Sequence, residues 1–298
     1  MRRYVVVLVA SLTLVEGGAS FAQGECPTIF PSVNDSFFLD TFAFQGVATS
    51  TATLVSGAPY QLALDGTYSI FAPGTWTSFP LCAGSQTENA PRYPSPVGPQ
   101  TGKVGMDAHH FFASQIVGGV CVGGPPPLPA HNAGFQVCKN GNCPSNPALA
   151  AGWFHPGAGE AYRPDHVYGH RIVGQGFTLA TRRPDSPYGD NYGRIKVTVR
   201  SATSAELVED IIDRAEALDA SAFRNANQQA AFLQKLDALL GQVSEGEACD
   251  GALQKLCHDL LPKTDGESRP PDWVIDADAQ QDLEDLILQV TNALGGCK

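Results

Sequence analysis

A change of hydrophobic period near Thr203 limits what this chain can fold into more than any other feature. Tyr188 to Val199 reads YGDNYGRIKVTV. In its second half Ile195, Val197 and Val199 alternate with Arg194, Lys196, Thr198 and Arg200, the period of a strand buried on one face. Gly189, Asp190, Asn191 and Gly193 ahead of it read as a tight turn. Beyond Thr203 the spacing becomes helical. Leu207, Ile211, Ala215 and Leu218 form one stripe; Leu233, Leu236, Leu240 and Val243 a second; Leu253, Leu256 and Leu260 a third; Leu283, Ile287, Val290 and Leu294 a fourth. Ser204 and Asp250 are expected N-caps, and Pro262 is expected to end the third helix.

Upstream of that change the chain reads as sheet. Asp65-Gly66 makes a turn, Thr67 to Phe71 a strand that stops before Pro73-Gly74, and Thr75 to Phe79 is expected to resume it. Residues 83–103 and 123–132 are rich in Pro, Gly and Ser and read as long loops, the segments on which sheet proteins often carry function. Phe135 to Cys138 is a short strand, and Ile172 to Ala180 is expected to be one strand interrupted by Gly174 and Gly176. Short strands joined by Gly and Pro turns, with no βαβ alternation, predict an all-β jelly roll or β-sandwich over residues 23–203. A small all-α antiparallel helical bundle is predicted for residues 204–298.

Charge separates the same two parts. Of the chain's 30 acidic and 19 basic residues, residues 204–298 hold 19 and 7, while residues 23–203 hold ten of each. Neither part shows the basic stripe that phosphate binding needs, so nucleic acid is excluded as an expected partner. Residues 1–22 carry two arginines, an apolar run from Tyr4 to Val15, and small residues at Ser20 and Ala22. This is the layout of a secretory signal peptide and too short for a membrane span. A secreted or periplasmic protein is expected.

Eight cysteines in an exported chain read as disulfides before metal ligands. Cys138 and Cys143 enclose an Asn-Gly reversal and are expected to pair, as are Cys82 and Cys121 across the loop between them. Cys249 and Cys257, eight residues apart on one expected helix, would be separated by about 12 Å of rise and cannot bond each other. With the last two helices antiparallel, Cys249 is expected to meet Cys297, leaving Cys26 and Cys257 either paired with each other or as buried thiols.

Two resemblances attach to particular residues. PYQLALDGTYSIFAPGTW, FFASQIVGGVCVG and the closing YGDNYGRIKVTV, within Tyr60 to Arg200, resemble the calcium-dependent galactophilic lectins of the PA-I type. The resemblance implies a galactose-binding-like sandwich in which the closing loop binds Ca²⁺ and the ion takes sugar hydroxyls. The sequence departs from that pattern where Arg182 and Arg183 stand at the expected acidic residue and Pro187 at the expected threonine. Gly98-Pro99-Gln100 is similar to the sugar-contact loop, which implies Gln100 as a ligand-binding residue. FRNANQQAAFLQKLDALL, ALQKLCHDLLPKTDG and PDWVID resemble the FIMAH-type helical modules of secreted bacterial proteins, implying an accessory or interaction role.

Asp185, Asp190 and Asn191 offer three hard oxygen ligands for Ca²⁺, which takes six to eight; the alternative is an Asx turn with no ion. Trp76 and Tyr188 are expected to stack on a sugar ring, with a core or anchoring role as the alternative. Six histidines, His109, His110, His131, His155, His166 and His170, fall in the β part. Three of them, with Glu160 or Asp107 as base, would make a Zn²⁺ hydrolase site, although no HExxH or GxSxG motif is present. A carbohydrate-binding protein, galactoside-directed and calcium-dependent, is therefore the expectation. A metal-dependent hydrolase and a structural envelope or adhesion protein are the alternatives.

Overall fold

The structure is a computed structural model that describes residues 25–42, 47–97, 102–122, 128–129, 136–138, 153–154, 161–182, 188–246, 249–266 and 272–297. In chain order the strands are β1 (Asn34–Asp40), β2 (Val47–Thr53), β3 (Pro59–Asp65), β4 (Thr67–Ser69), β5 (Met106–Asp107), β6 (His110–Phe111), β7 (Gln115–Val117), β8 (Val120–Val122), β9 (Leu128–Pro129), β10 (Gln136–Cys138), β11 (Trp153–Phe154), β12 (Val167–Val173), β13 (Thr178–Arg182) and β14 (Tyr192–Ser201). The helices are α1 (Thr75–Ser78), α2 (Ser204–Ala217), α3 (Ala226–Glu245), α4 (Cys249–Lys255) and α5 (Ala277–Ala293). A β region is thus followed by helices.

Strand β14 holds the β region together. It pairs antiparallel with β1 along one edge, from Asn34 opposite Arg200 to Asp40 opposite Arg194, and with β3 and then β4 along the other. The larger sheet runs β12-β3-β14-β4-β5-β6-β9, a second runs β11-β10-β13-β2, and β7 with β8 forms a separate hairpin. As the alternation predicts, Ile195, Val197 and Val199 are buried and the residues between them half-buried. They join Leu39, Tyr60, Leu62, Leu64 and Tyr168 from the larger sheet and Leu179 from the second in one apolar core. Each such side chain contributes about 1.5–3 kcal/mol.

Two strand expectations change. Thr75–Ser78 is a single helical turn, entered through Gly74 at φ 87°, a backbone angle that glycine adopts without strain. Ile172 to Ala180 is not one strand: β12 ends at Val173 and β13 starts at Thr178. Gly174 lies between them because a Cβ there would stand 2.2 Å from the Val55 carbonyl oxygen.

In the helical region Leu207, Val208, Ile211 and Ala215 of α2 pack with Phe232, Leu236, Leu239 and Val243 of α3, with Leu256 and Leu260, and with Leu283, Ile287 and Val290 of α5. Thr203, not Ser204, caps α2. Its side chain accepts from the Glu206 amide while Glu206 accepts from the Thr203 amide, a capping box. Ser204 instead donates to the Cys26 carbonyl at 2.9 Å. After α4 the helix widens into a π turn at Leu256–Leu260, followed by a 3-10 turn at Leu261–Lys263 that contains Pro262.

The two regions are tied together. Phe30 packs against both cores. Arg171 on β12 donates to Asp210 on α2 at 2.6 Å, and Arg200 on β14 grips Glu206 with both terminal nitrogens.

Disulfides join Cys82 to Cys121, Cys26 to Cys249 and Cys257 to Cys297. The expected Cys249–Cys297 pair is therefore not formed. The Cys26 amide bonds the Val243 carbonyl at 2.8 Å, which carries the segment before β1 to the end of α3, beside Cys249. The π turn contains Cys257 and presents it to Cys297, so neither Cys26 nor Cys257 is left as a thiol. Cys138 is disulfide-bonded; its expected partner Cys143 lies outside the described residues. These bonds fit folding in an oxidising compartment. Among the described residues no helix is long and apolar enough to cross a membrane.

Candidate functional site

The first site is built where β14 begins. Tyr188–Asp190 is one 3-10 turn, Asn191 follows, and β14 starts at Tyr192. Gly193 has φ 97°, and a Cβ there would lie 2.7 Å from the Thr67 carbonyl oxygen, so only glycine fits. Its amide donates to Ser95 Oγ at 3.0 Å, and its carbonyl accepts from the Thr41 amide at 3.2 Å and Thr41 Oγ1 at 2.8 Å. Ser95 also donates to Asp40 Oδ1 at 2.7 Å. Asn191 is fully buried and donates through Nδ2 to the Thr41 carbonyl at 2.9 Å. The ends of β1 and β14 are thereby locked to the loop carrying Ser95.

Two acceptors remain over. Asp190 Oδ1 and Asn191 Oδ1 are buried and meet no hydrogen-bond donor among the described residues. A buried acceptor left in that state costs about 1–3 kcal/mol, and neighbouring hard oxygens of this kind are what Ca²⁺ takes. Asp185 and Gln100 lie outside the described residues, and of Tyr188 only the backbone turn is described. Trp76 is not a sugar platform. It is 3% exposed, donates its indole N–H to Ser69 Oγ at 3.1 Å and meets Phe71 edge-on, as a core anchor does.

The second polar cluster centres on Asp107 of β5, which has no exposed surface. Its Oδ1 accepts from the amides of His109 at 2.9 Å and His110 at 2.7 Å, turning the chain from β5 into β6. Its Oδ2 accepts from Tyr168 at 2.9 Å and faces His166 Nδ1 at 2.8 Å. Across the His166 ring, Nε2 stands 3.0 Å from Glu88 Oε1, and Thr67 Oγ1 donates to Glu88 Oε2 at 2.9 Å. His110 Nδ1 lies 3.2 Å from the Tyr168 hydroxyl, and His109 Nε2 lies 2.9 Å from His170 Nε2. Tyr168 and His170 are two residues apart on β12 and so share a face. His166 precedes that strand at φ 52°, among the described residues the one non-glycine at positive φ; holding it there costs on the order of 1–3 kcal/mol.

These contacts set the proton affinities. Burial opposes a charged His166, but the hydrogen bond and charge of Asp107, with those of Glu88, outweigh it and raise the imidazole above its ordinary value. Burial first, and then the negative charge of Asp107, push Tyr168 far above the ordinary tyrosine value, so it serves as a donor. The chain Glu88, His166, Asp107, Tyr168 can hold a proton between two carboxylates with Glu88 as its most exposed member.

Four of the six histidines singled out in the β part thus gather around Asp107. His131, His155 and Glu160 lie outside the described residues. Sequence reasoning overlooked Glu88 and Thr67, and the part that Tyr168 plays in this cluster. The period-two spacing of His166, Tyr168 and His170 is the signal that could have found the tyrosine. Among the described residues, no group of three or more His, Cys, Asp or Glu side chains is placed to hold a metal ion. No known protein family, curated protein or solved structure matches the chain.

Proposed function

We propose that this chain is an exported carbohydrate-binding protein that takes Ca²⁺ at Asp190, Asn191 and Asp185 and binds a galactoside-like sugar through the ion. The proposal includes a signal peptide over residues 1–22, a jelly-roll β-sandwich over 23–203 related to the PA-I type lectins, and an acidic FIMAH-like accessory bundle over 204–298. One observation carries it: the buried side-chain oxygens of the consecutive residues Asp190 and Asn191, which meet no donor among the described residues. A divalent ion would satisfy both, with loop carbonyls and sugar hydroxyls completing its shell.

The metal-dependent hydrolase reading has less support. Asp107, His109, His110 and His166 are each at most 4% exposed, which puts them out of reach of a polymeric substrate.

The test is calorimetric titration of Ca²⁺ into the purified protein and into Asp190→Ala/Asn191→Ala, paired with glycan-array binding in calcium and in chelator. Loss of calcium uptake in the double variant, with calcium-dependent retention of galactosides by the parent, is expected. Unchanged calcium affinity in the double variant would refute the site.

A further inference from the structure

We propose that His109 and His170 together form a second, separate metal site, specific for a borderline divalent ion such as Zn²⁺ or Ni²⁺. The two Nε2 atoms face each other at 2.9 Å, and the rings approach edge to face with centroids 4.9 Å apart. A direct contact between two imidazole nitrogens requires one ring to donate and the other to present a lone pair. One ring therefore already offers Nε2 as a ligand, and the other does so when its proton moves to Nδ1, a change of tautomer with no net charge. Two imidazole nitrogens bound to one tetrahedral Zn²⁺ at about 2.0–2.1 Å lie about 3.3 Å apart. The observed pair needs to open by only a few tenths of an ångström to reach that spacing.

Both ligands sit on fixed supports. The Asp107 carboxylate holds the His109 amide at 2.9 Å, and the His109 ring packs on Tyr168 with centroids 4.2 Å apart. His170 lies in the middle of β12, in register with Leu62 of β3. Supports of this kind place ligands before the ion arrives, which lowers the cost of binding. His109 is buried while His170 is half-buried at a strand that closes the sheet on one side, so water can complete the shell. A pair of neutral imidazoles suits Zn²⁺, Ni²⁺ or Cu²⁺ and not Ca²⁺, which takes oxygen. With two protein ligands the site binds reversibly instead of holding a permanent structural ion.

This site is independent of the calcium proposal, and the test keeps them apart. Zn²⁺, and separately Ni²⁺, is titrated calorimetrically into the purified protein in saturating Ca²⁺. The parent and Asp190→Ala/Asn191→Ala are expected to take up one equivalent. His109→Ala and His170→Ala are each expected to lose more than the roughly 10–100-fold that disturbing even an outer partner of a metal site costs. Because His109 is buried, His170→Ala carries the decision, with metal-free melting curves confirming that it folds. His170→Cys, which supplies a thiolate, is expected to regain Zn²⁺ binding. Absence of uptake by the parent, or equal uptake by folded His170→Ala, would overturn the proposal.

Discussion

The helical region buries Leu207, Ile211, Phe232, Leu236, Leu256, Leu283 and Ile287, and keeps its acidic residues largely outside. In the β region Asp107, His109, His110, His166 and Asn191 lie as deep as the leucines of β3. The net charge of the first is strongly negative and that of the second is zero, yet the neutral region is the one with charge in its interior. Apolar burial is non-directional and needs only matched shape, so the helices can be assembled by pattern alone. Buried polar groups must each find a partner. A region that keeps so many is organised around them, and the proposed chemistry belongs there.

The largest test of this contrast is Asp107→Ala. It removes the acceptor of two amides, a tyrosine hydroxyl and a histidine at once. Deleting one partner of a buried charged pair costs about 3–5 kcal/mol. Denaturant unfolding should show a loss of that size in the β region; a loss below about 1 kcal/mol, the scale of an ordinary surface pair, would mean the network is decoration on an apolar core. Leu236→Ala is the matching change in the helices. It opens a cavity at a fully buried position of α3 and should cost about 2–5 kcal/mol. The contrast sharpens if paired variants respond differently. A volume-conserving apolar replacement such as Leu236→Met should be tolerated, whereas near-isosteric Asp107→Leu should not be.

What was legible in the sequence follows the same division. The alternation of Ile195, Val197 and Val199 and the stripes from Leu207 to Val290 are local periodicities, and the structure keeps them. The stripes shift by one residue in α3, where Phe232 and Leu239 are buried and Leu233 and Leu240 half-buried. That rotation is set by the neighbouring helices. The Cys26–Cys249 bond was illegible because it depends on where the segment before β1 travels, a matter of tertiary contact with no local signal. The histidine cluster was only half legible. Its residue types stood out, but Asp107 and His166 are 59 positions apart, and spacing cannot say that the last residue of β5 meets the residue leading into β12. The unpaired oxygens of Asp190 and Asn191 were visible as residue types; their burial without donors was not.

The smallest expected effect is a pH dependence, and its sign is fixed by the contacts of His166. The folded protein holds this imidazole's proton more tightly than the unfolded chain, because Asp107 and Glu88 together outweigh the burial that opposes the charge. A group with a raised pKa in the folded state stabilises fully below its unfolded value of about 6.5. That contribution is lost as pH rises through the higher folded value. His166→Asn isolates it, since asparagine tolerates positive φ but does not titrate. Urea unfolding of parent and variant across a pH series should give a stability difference that is largest on the acid side of 6.5 and shrinks as pH rises past the folded value. The acid limb must be read above the range in which Glu206, whose pKa is lowered by Arg200 and the Thr203 amide against the opposing effect of burial, takes up its own proton. A difference that stays constant or grows with pH would show that the ring is held as a neutral hydrogen-bonding group. The buried charge that distinguishes the β region would then rest on Asp107 without His166.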